Sequence, residues 1–180
     1  DEKGVASPVK LVTSGNTLIA RYCCPAHGLY QCYLRSKAKY DQFQKGAMLS
    51  GPQMEAILVA EFLRDLFPSL PIRIFQTFAA TEIAKYTHNC FLATKVSFLN
   101  EIYEVCETYR VQYSEMVSAV VMMGKIGESH VSVPGNDGKF GFGGYCFPKD
   151  TKALLTFMEA QGLPMETLRG AVDSNNSRRK

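Results

Sequence analysis

From Thr77 to Arg110 the chain contains neither glycine nor proline. Within that stretch Ile83, Tyr86, Cys90, Ala93, Leu99, Ile102 and Cys106 recur at the three- and four-residue spacing of one helix face. Phe91, Leu92 and Phe98 carry the apolar surface further round. The pattern predicts a helix of unusual length, with a kink or break left open. A helix apolar over so wide an arc needs cover on more than one side. A central place in a core would supply it, and so would a partner subunit.

The residues before this helix are mixed. Short apolar runs at Leu18–Cys23, Ala47–Leu49 and Ile72–Phe75 predict strands. Between the last two, Met54, Ile57, Leu58, Phe62 and Leu66 trace a helix over 52–67, opened by Pro52 and stopped by Pro68. Strand, helix, strand is the order of an α/β layer. After the long helix, Ser114 is placed to cap a helix ending at Met123, and a glycine-rich loop follows from Gly124 to Gly144. Pro148 then opens a helix over 149–160, and a last helix is expected over 164–174. The fold class read from this is mostly α with a small α/β portion. A tail of a Rossmann-like layer over 1–76 precedes a helical domain over 77–180.

Composition closes off several function classes. Hydrophobic residues make up 46% of the chain, enough to bury a core. The net charge is +3 and the basic residues are scattered apart from Arg178, Arg179 and Lys180, so a nucleic-acid surface has no support. No apolar run suits a membrane span or a signal peptide. His27, His88 and His130 lack metal-ligand spacing. The six cysteines include an adjacent pair, Cys23 and Cys24, and no CxxC; reduced thiols and a cytoplasmic setting are expected.

The chemistry concentrates at 138–150. Cys146 stands at the mouth of the predicted helix, whose first turn carries unpaired N–H groups and partial positive charge. Lys149 lies close by in sequence. Both favour thiolate, which makes Cys146 a candidate nucleophile. The glycines ahead of it allow close backbone approach to a ligand. Asp150 follows one helical turn later, placed to orient a water or a base. On the long helix, Lys85 and Asn89 share a face at i and i+4 and could form an oxyanion clamp. Taken singly, each feature also has a plain structural reading: a glycine turn feeding a helix, a snorkelling lysine, a satisfied amide.

Together the two segments resemble a known family. Residues 81–101 resemble the E-x-x-K-Y-x-x-N-x-F-L-A-x-K-x-x-F-x-N-E segment of UDP-glucose/GDP-mannose 6-dehydrogenases, and Gly141–Asp150 is similar to their G-F-G-G-x-C-F-P-K-D motif. Val133 to Lys139 looks like the substrate loop of one branch of that family. The resemblance implies oxidation of a nucleotide-sugar C6 alcohol to a carboxylate with two NAD. Cys146 would attack the intermediate aldehyde, and a thioester would then be hydrolysed. Lys85, Asn89 and Asp150 would be the oxyanion and water partners. The backbone from Phe140 through Gly141, Phe142 and Gly143 to Gly144 would hold the sugar. Lys139 joins that loop, and Lys125 stands where the family usually has arginine. The resemblance also implies a homodimer through the Thr77–Arg110 helix. It departs at the NAD-binding glycine fingerprint and the C-terminal nucleotide-binding domain, neither of which is found. The hydrolytic glutamate also has no match, since Ala26 or Cys32 takes its place. Two readings follow: an enzyme portion that needs a separate NAD site, or a non-catalytic dimerisation or binding module.

Overall fold

The computed structural model describes residues 9–13, 17–20, 47–50 and 53–179. The chain divides into two compact units, Asp1–Lys85 and Tyr86–Lys180. The first carries β1 (Val9–Thr13), β2 (Thr17–Ala20), β3 (Ala47–Ser50), α1 (Gln53–Leu66) and β4 (Ile72–Phe75). Helix α2 (Phe78–Tyr109) begins in that unit and continues into the second. The second unit adds α3 (Tyr113–Met122), α4 (Cys146–Ala160) and α5 (Glu166–Arg178).

The sheet of the first unit has the order β2-β1-β3-β4. β1 pairs antiparallel with β2, Val9 opposite Ala20, and with β3, Lys10 opposite Ser50. β3 and β4 run parallel, Ala47 opposite Ile72, with α1 as the crossover that parallel strands require. The apolar stripe of α1 explains the core: Val59, Ala60 and Leu63 are buried with Leu49 and Leu70, and Phe62, Phe67, Ile72 and Ile74 pack on them.

The sequence pattern did not predict β1, and β2 begins one residue earlier than expected. Residues 21–23 of the expected strand lie outside the described residues, as do His27, the adjacent Cys23 and Cys24, and the Ala26 and Cys32 alternatives for the missing glutamate.

α2 is one unbroken helix of 32 residues, about 48 Å long. Thr77 starts it, its Oγ1 accepting the Ala80 N–H at 3.2 Å. Cys90, Ala93, Val96, Leu99 and Cys106 are buried, with Asn100 among them. Ile83, Phe91, Phe98 and Val105 are exposed. The broad apolar arc is therefore covered on one side by this chain and open on the other.

Three helix boundaries differ from expectation. Gln112 precedes the first residue of α3, Tyr113, and no side chain caps that end, so Ser114 is inside the helix. α4 starts at Cys146, ahead of Pro148, which as a residue of the first turn needs no N–H partner. α5 runs over 166–178, past the expected end at Ser174. Arg178 holds that extra turn onto α2 with a two-pronged ion pair to Glu104 at 2.8 and 2.9 Å. No helix among the described residues is long and apolar enough to cross a membrane.

Candidate active site

The second unit brings Asn89 of α2 and Asp150 of α4 together. Asp150 is 1% exposed and sits one turn after Cys146. Its Oδ2 accepts from Asn89 Nδ2 at 2.6 Å, and its Oδ1 pairs with Lys149 Nζ. Asn89 Oδ1 in turn lies 3.0 Å from His88 Nδ1. A buried carboxylate is costly unless its oxygens are bonded, and here each has a partner. The bond to Asp150 is the largest cause raising the Lys149 pKa; the charges of Asp150, Tyr86 and Cys146 act in the same direction. Lys149 also lies 5.8 Å from the Tyr145 ring centroid. Cys146 is a free, half-buried thiol; burial pushes the Cys90 thiol on α2 up to about 11. Lys85 is half-buried on α2, one turn before Asn89.

Beside these residues a cleft of about 570 Å³ is lined by Val96, Glu128, Ser129, His130, Ser132, Gly135, Asn136, Asp137, Gly141, Phe142, Gly143, Gly144 and Phe147. Four of the expected sugar-contacting residues, Gly141 to Gly144, form part of its wall. Phe140, Lys139 and Lys125 are exposed and do not line it. Phe140 lies edge-on to Tyr103, with centroids 5.4 Å apart. His130 has a φ of +61° and its ring centroid lies 5.3 Å from that of Phe147, itself edge-on to Phe142.

The cleft wall is irregular backbone held by side chains. Lys95 Nζ donates to Gly127 O at 2.6 Å and Ser129 O at 2.7 Å, and desolvation lowers its pKa. The Tyr113 hydroxyl donates to Val131 O at 2.7 Å. Gly141 N–H donates to Asn100 Oδ1 at 2.9 Å, and Phe142 N–H to Asn175 Oδ1 at 2.6 Å. Arg179 Nη1 reaches the carbonyls of Phe140 and Gly141 at 3.3 and 3.2 Å, and its guanidinium pairs with Asp137. That bond holds the Asp137 carboxyl below its ordinary range. A Cβ at Gly143 would meet the Arg179 guanidinium, the far end of a long side chain that would have to shift.

A family model for the central domain of the UDP-glucose/GDP-mannose dehydrogenase family matches residues 79–177, more than half of the chain. The chain belongs to this family. The UDP-glucose 6-dehydrogenase TuaD of Bacillus subtilis is 32% identical over 133 residues, 74% of this chain and 27% of that protein. The UDP-glucose 6-dehydrogenase YwqF of the same organism is 33% identical over 141 residues, 78% of this chain and 30% of that protein. A solved UDP-glucose dehydrogenase from Pyrobaculum islandicum superposes with a TM-score of 0.63 at 30% identity, over 76% of this chain and 31% of that one. The chain thus spans less than a third of each of these dehydrogenases.

Within this UDP-glucose/GDP-mannose dehydrogenase domain, sequence reasoning misses Glu128, Ser129 and Ser132 on the cleft wall, whereas Asn136 and Asp137 fall in the Val133–Lys139 segment already read as a substrate loop. It also misses Lys95, Asn100, Tyr113, Asn175 and Arg179 behind it. The wall residues carry a signal, since they are the polar residues of a loop already singled out for its glycines. Lys95 and Asn100 fall in the matched 81–101 segment, though with no role read for them, while Tyr113, Asn175 and Arg179 lie outside it, where a polar residue reads as an ordinary surface position. No group of three His, Cys, Asp or Glu side chains among the described residues could hold a metal ion.

Proposed function

We propose that this chain carries the thiol and the nucleotide-sugar wall of a UDP-glucose-like 6-dehydrogenase. The observation that carries the reading is the placement of Cys146 one turn before Asp150, which is bonded to Asn89 on the facing helix. The sulfur of Cys146 adds to C6 of a nucleotide-sugar aldehyde. The carbonyl electron pair moves to oxygen, which takes up the thiol proton and leaves a thiohemiacetal. Lys85 and Asn89 are the donors for that oxygen. Asp150, accepting from Asn89 and Lys149, holds the amide in place and keeps the positive charge of Lys149 near Cys146. Gly141 to Gly144 and the polar residues of the cleft take the sugar, and Lys125 and Lys139 supply charge for the diphosphate. The stripe of Phe91, Phe98 and Val105, spaced by seven on α2, is the surface for a second copy of the chain.

Oxidation of the adduct to a thioester removes a hydride, for which the family uses NAD. The described residues do not fit that cofactor. β4 is joined to α2 by Gln76-Thr77, which is not the glycine turn that cradles a dinucleotide pyrophosphate, and the sequence after β3 carries no G-x-G-x-x-G pattern. The hydride step therefore needs a cofactor site beyond these residues, and the purified chain with UDP-glucose and NAD should form no NADH.

The test is alkylation of the full chain by iodoacetamide, read residue by residue by peptide mass mapping, with Cys146→Ala as control. UDP-glucose should slow alkylation of Cys146 by about tenfold at saturation and leave the other thiols unchanged. Binding of UDP-glucose without protection of Cys146 would favour a non-catalytic sugar-nucleotide module. No binding at all would remove the substrate reading.

A further inference from the structure

Two buried carboxamides, on two different helices, accept consecutive backbone N–H groups of the glycine loop. Asn100 on α2 is 2% exposed and Asn175 on α5 is 5% exposed. Asn100 Nδ2 donates to Val96 O at 2.8 Å, one turn back on its own helix. That bond orients the amide so that Oδ1 meets the Gly141 N–H. Asn175 Oδ1 takes the next N–H, from Phe142. The helices are locked together close by, where Ser97 Oγ donates to Ala171 O at 2.7 Å. Ser97 lies three residues before Asn100 and Ala171 four before Asn175, so the brace fixes the distance between the two acceptors.

A leucine at either place would fill the space without the desolvation cost of an amide. The polar side chains are explained by the loop: its backbone turns at positive φ at Gly138, Gly141 and Gly144 and joins no sheet, so its buried N–H groups need acceptors from elsewhere. Gly141 also fits only as glycine, because a Cβ would meet the Asn175 carboxamide. With the N–H groups of Gly141 and Phe142 committed, those of Gly143 and Gly144 have no protein acceptor among the described residues, and both glycines line the cleft.

We propose that Asn100 and Asn175 are positioning residues, a pair of carboxamides that sets the Gly141–Phe142 backbone so that the next two peptides are presented to the ligand. The inference rests on the reading of the cleft as a nucleotide-sugar site. Asn175→Asp keeps an acceptor oxygen for the Phe142 N–H, and Asn175→Ala removes it. UDP-glucose affinity of the full chain, measured by calorimetry, should fall about tenfold in Asn175→Ala and stay within about threefold of the parent in Asn175→Asp. Asn100→Ala should weaken binding about as much as Asn175→Ala. Amide hydrogen exchange supplies a readout without ligand: Phe142 N–H should lose protection in Asn175→Ala and keep it in Asn175→Asp, and Gly141 N–H should lose it in Asn100→Ala. Equal losses of affinity in Asn175→Ala and Asn175→Asp would overturn the proposal. So would unchanged Phe142 protection in Asn175→Ala. If the parent chain binds no UDP-glucose, the substrate reading fails, and the exchange pattern alone still decides whether the pair holds the loop.

Discussion

In the first unit the backbone of β1 to β4 pairs with itself, and the interior is filled by Leu49, Val59, Ala60, Leu63 and Leu70. In the second unit the residues between α3 and α4 have no ladder to join. Apart from the turn closed by the Gly135 and Gly138 N–H groups, carbonyls and N–H groups there are taken by Lys95, Asn100, Tyr113, Asn175 and Arg179. The first arrangement depends on volume and apolar area, so similar shapes can be exchanged within it. The second depends on single donors and acceptors, and a side chain of the right size but the wrong chemistry leaves a buried group unmatched. The loop that lines the cleft is thus held by the less replaceable of the two arrangements.

The contrast can be broken at its strongest point. Leu63→Ala in the first unit should cost about 3 kcal/mol in chemical denaturation, because it opens a void in close-packed apolar surroundings. Leu63→Met should cost less than about 1.5 kcal/mol. A loss under about 1 kcal/mol for the alanine would show that the sheet core is not close-packed. In the second unit, Gly141→Ala should cost about 2 kcal/mol, from the positive φ and the collision with the Asn175 carboxamide. Calorimetry with UDP-glucose should show weaker binding by that variant. Normal binding and stability together would mean the loop yields easily.

A pH series sharpens the comparison further. Burial, with the Asp150 charge adding to it, pushes the Cys90 thiol from 9.0 to about 11; burial pushes the Tyr113 phenol from 10.0 to about 12. In both, the neutral form is favoured by the fold. Their contribution is therefore complete below pH 9 and is lost as pH rises through 11 and 12. Cys90 alone accounts for roughly 2 kcal/mol of that loss, so Cys90→Ala should flatten the fall in denaturation midpoint between pH 9 and 11. An unchanged slope would remove the thiol from the explanation. The smallest effect is expected at Arg178→Ala: its ion pair with Glu104 is at the surface on the glutamate side, and its loss should cost about 0.5 kcal/mol.

How much of the molecule is legible in the sequence follows the same division. Elements whose cause is local can be read. The absence of glycine and proline from 77 to 110 predicts α2, and the apolar spacing between Pro52 and Pro68 predicts α1. The Cys146 and Lys85 segments are legible because their residues are adjacent or one helical turn apart. β1 escapes notice although Val9, Leu11 and Thr13 alternate and Ser14-Gly15-Asn16 is a hairpin signal before the next apolar run. The extra turn of α5 is hidden because it depends on Arg178 meeting Glu104, 74 positions earlier. Asn100 and Asn175 are hidden for the same reason. Their roles exist only when two helices and a loop meet, and no local pattern records such a meeting.

Asn175 and Arg179 stand one turn apart at the end of α5, and both grip the glycine loop, yet no residue of that helix lines the cleft. Two attachment points about 6 Å apart along one rod cannot be loosened one at a time by sliding or twisting it. The cleft wall is therefore braced from behind, by side chains of an element that does not itself line it.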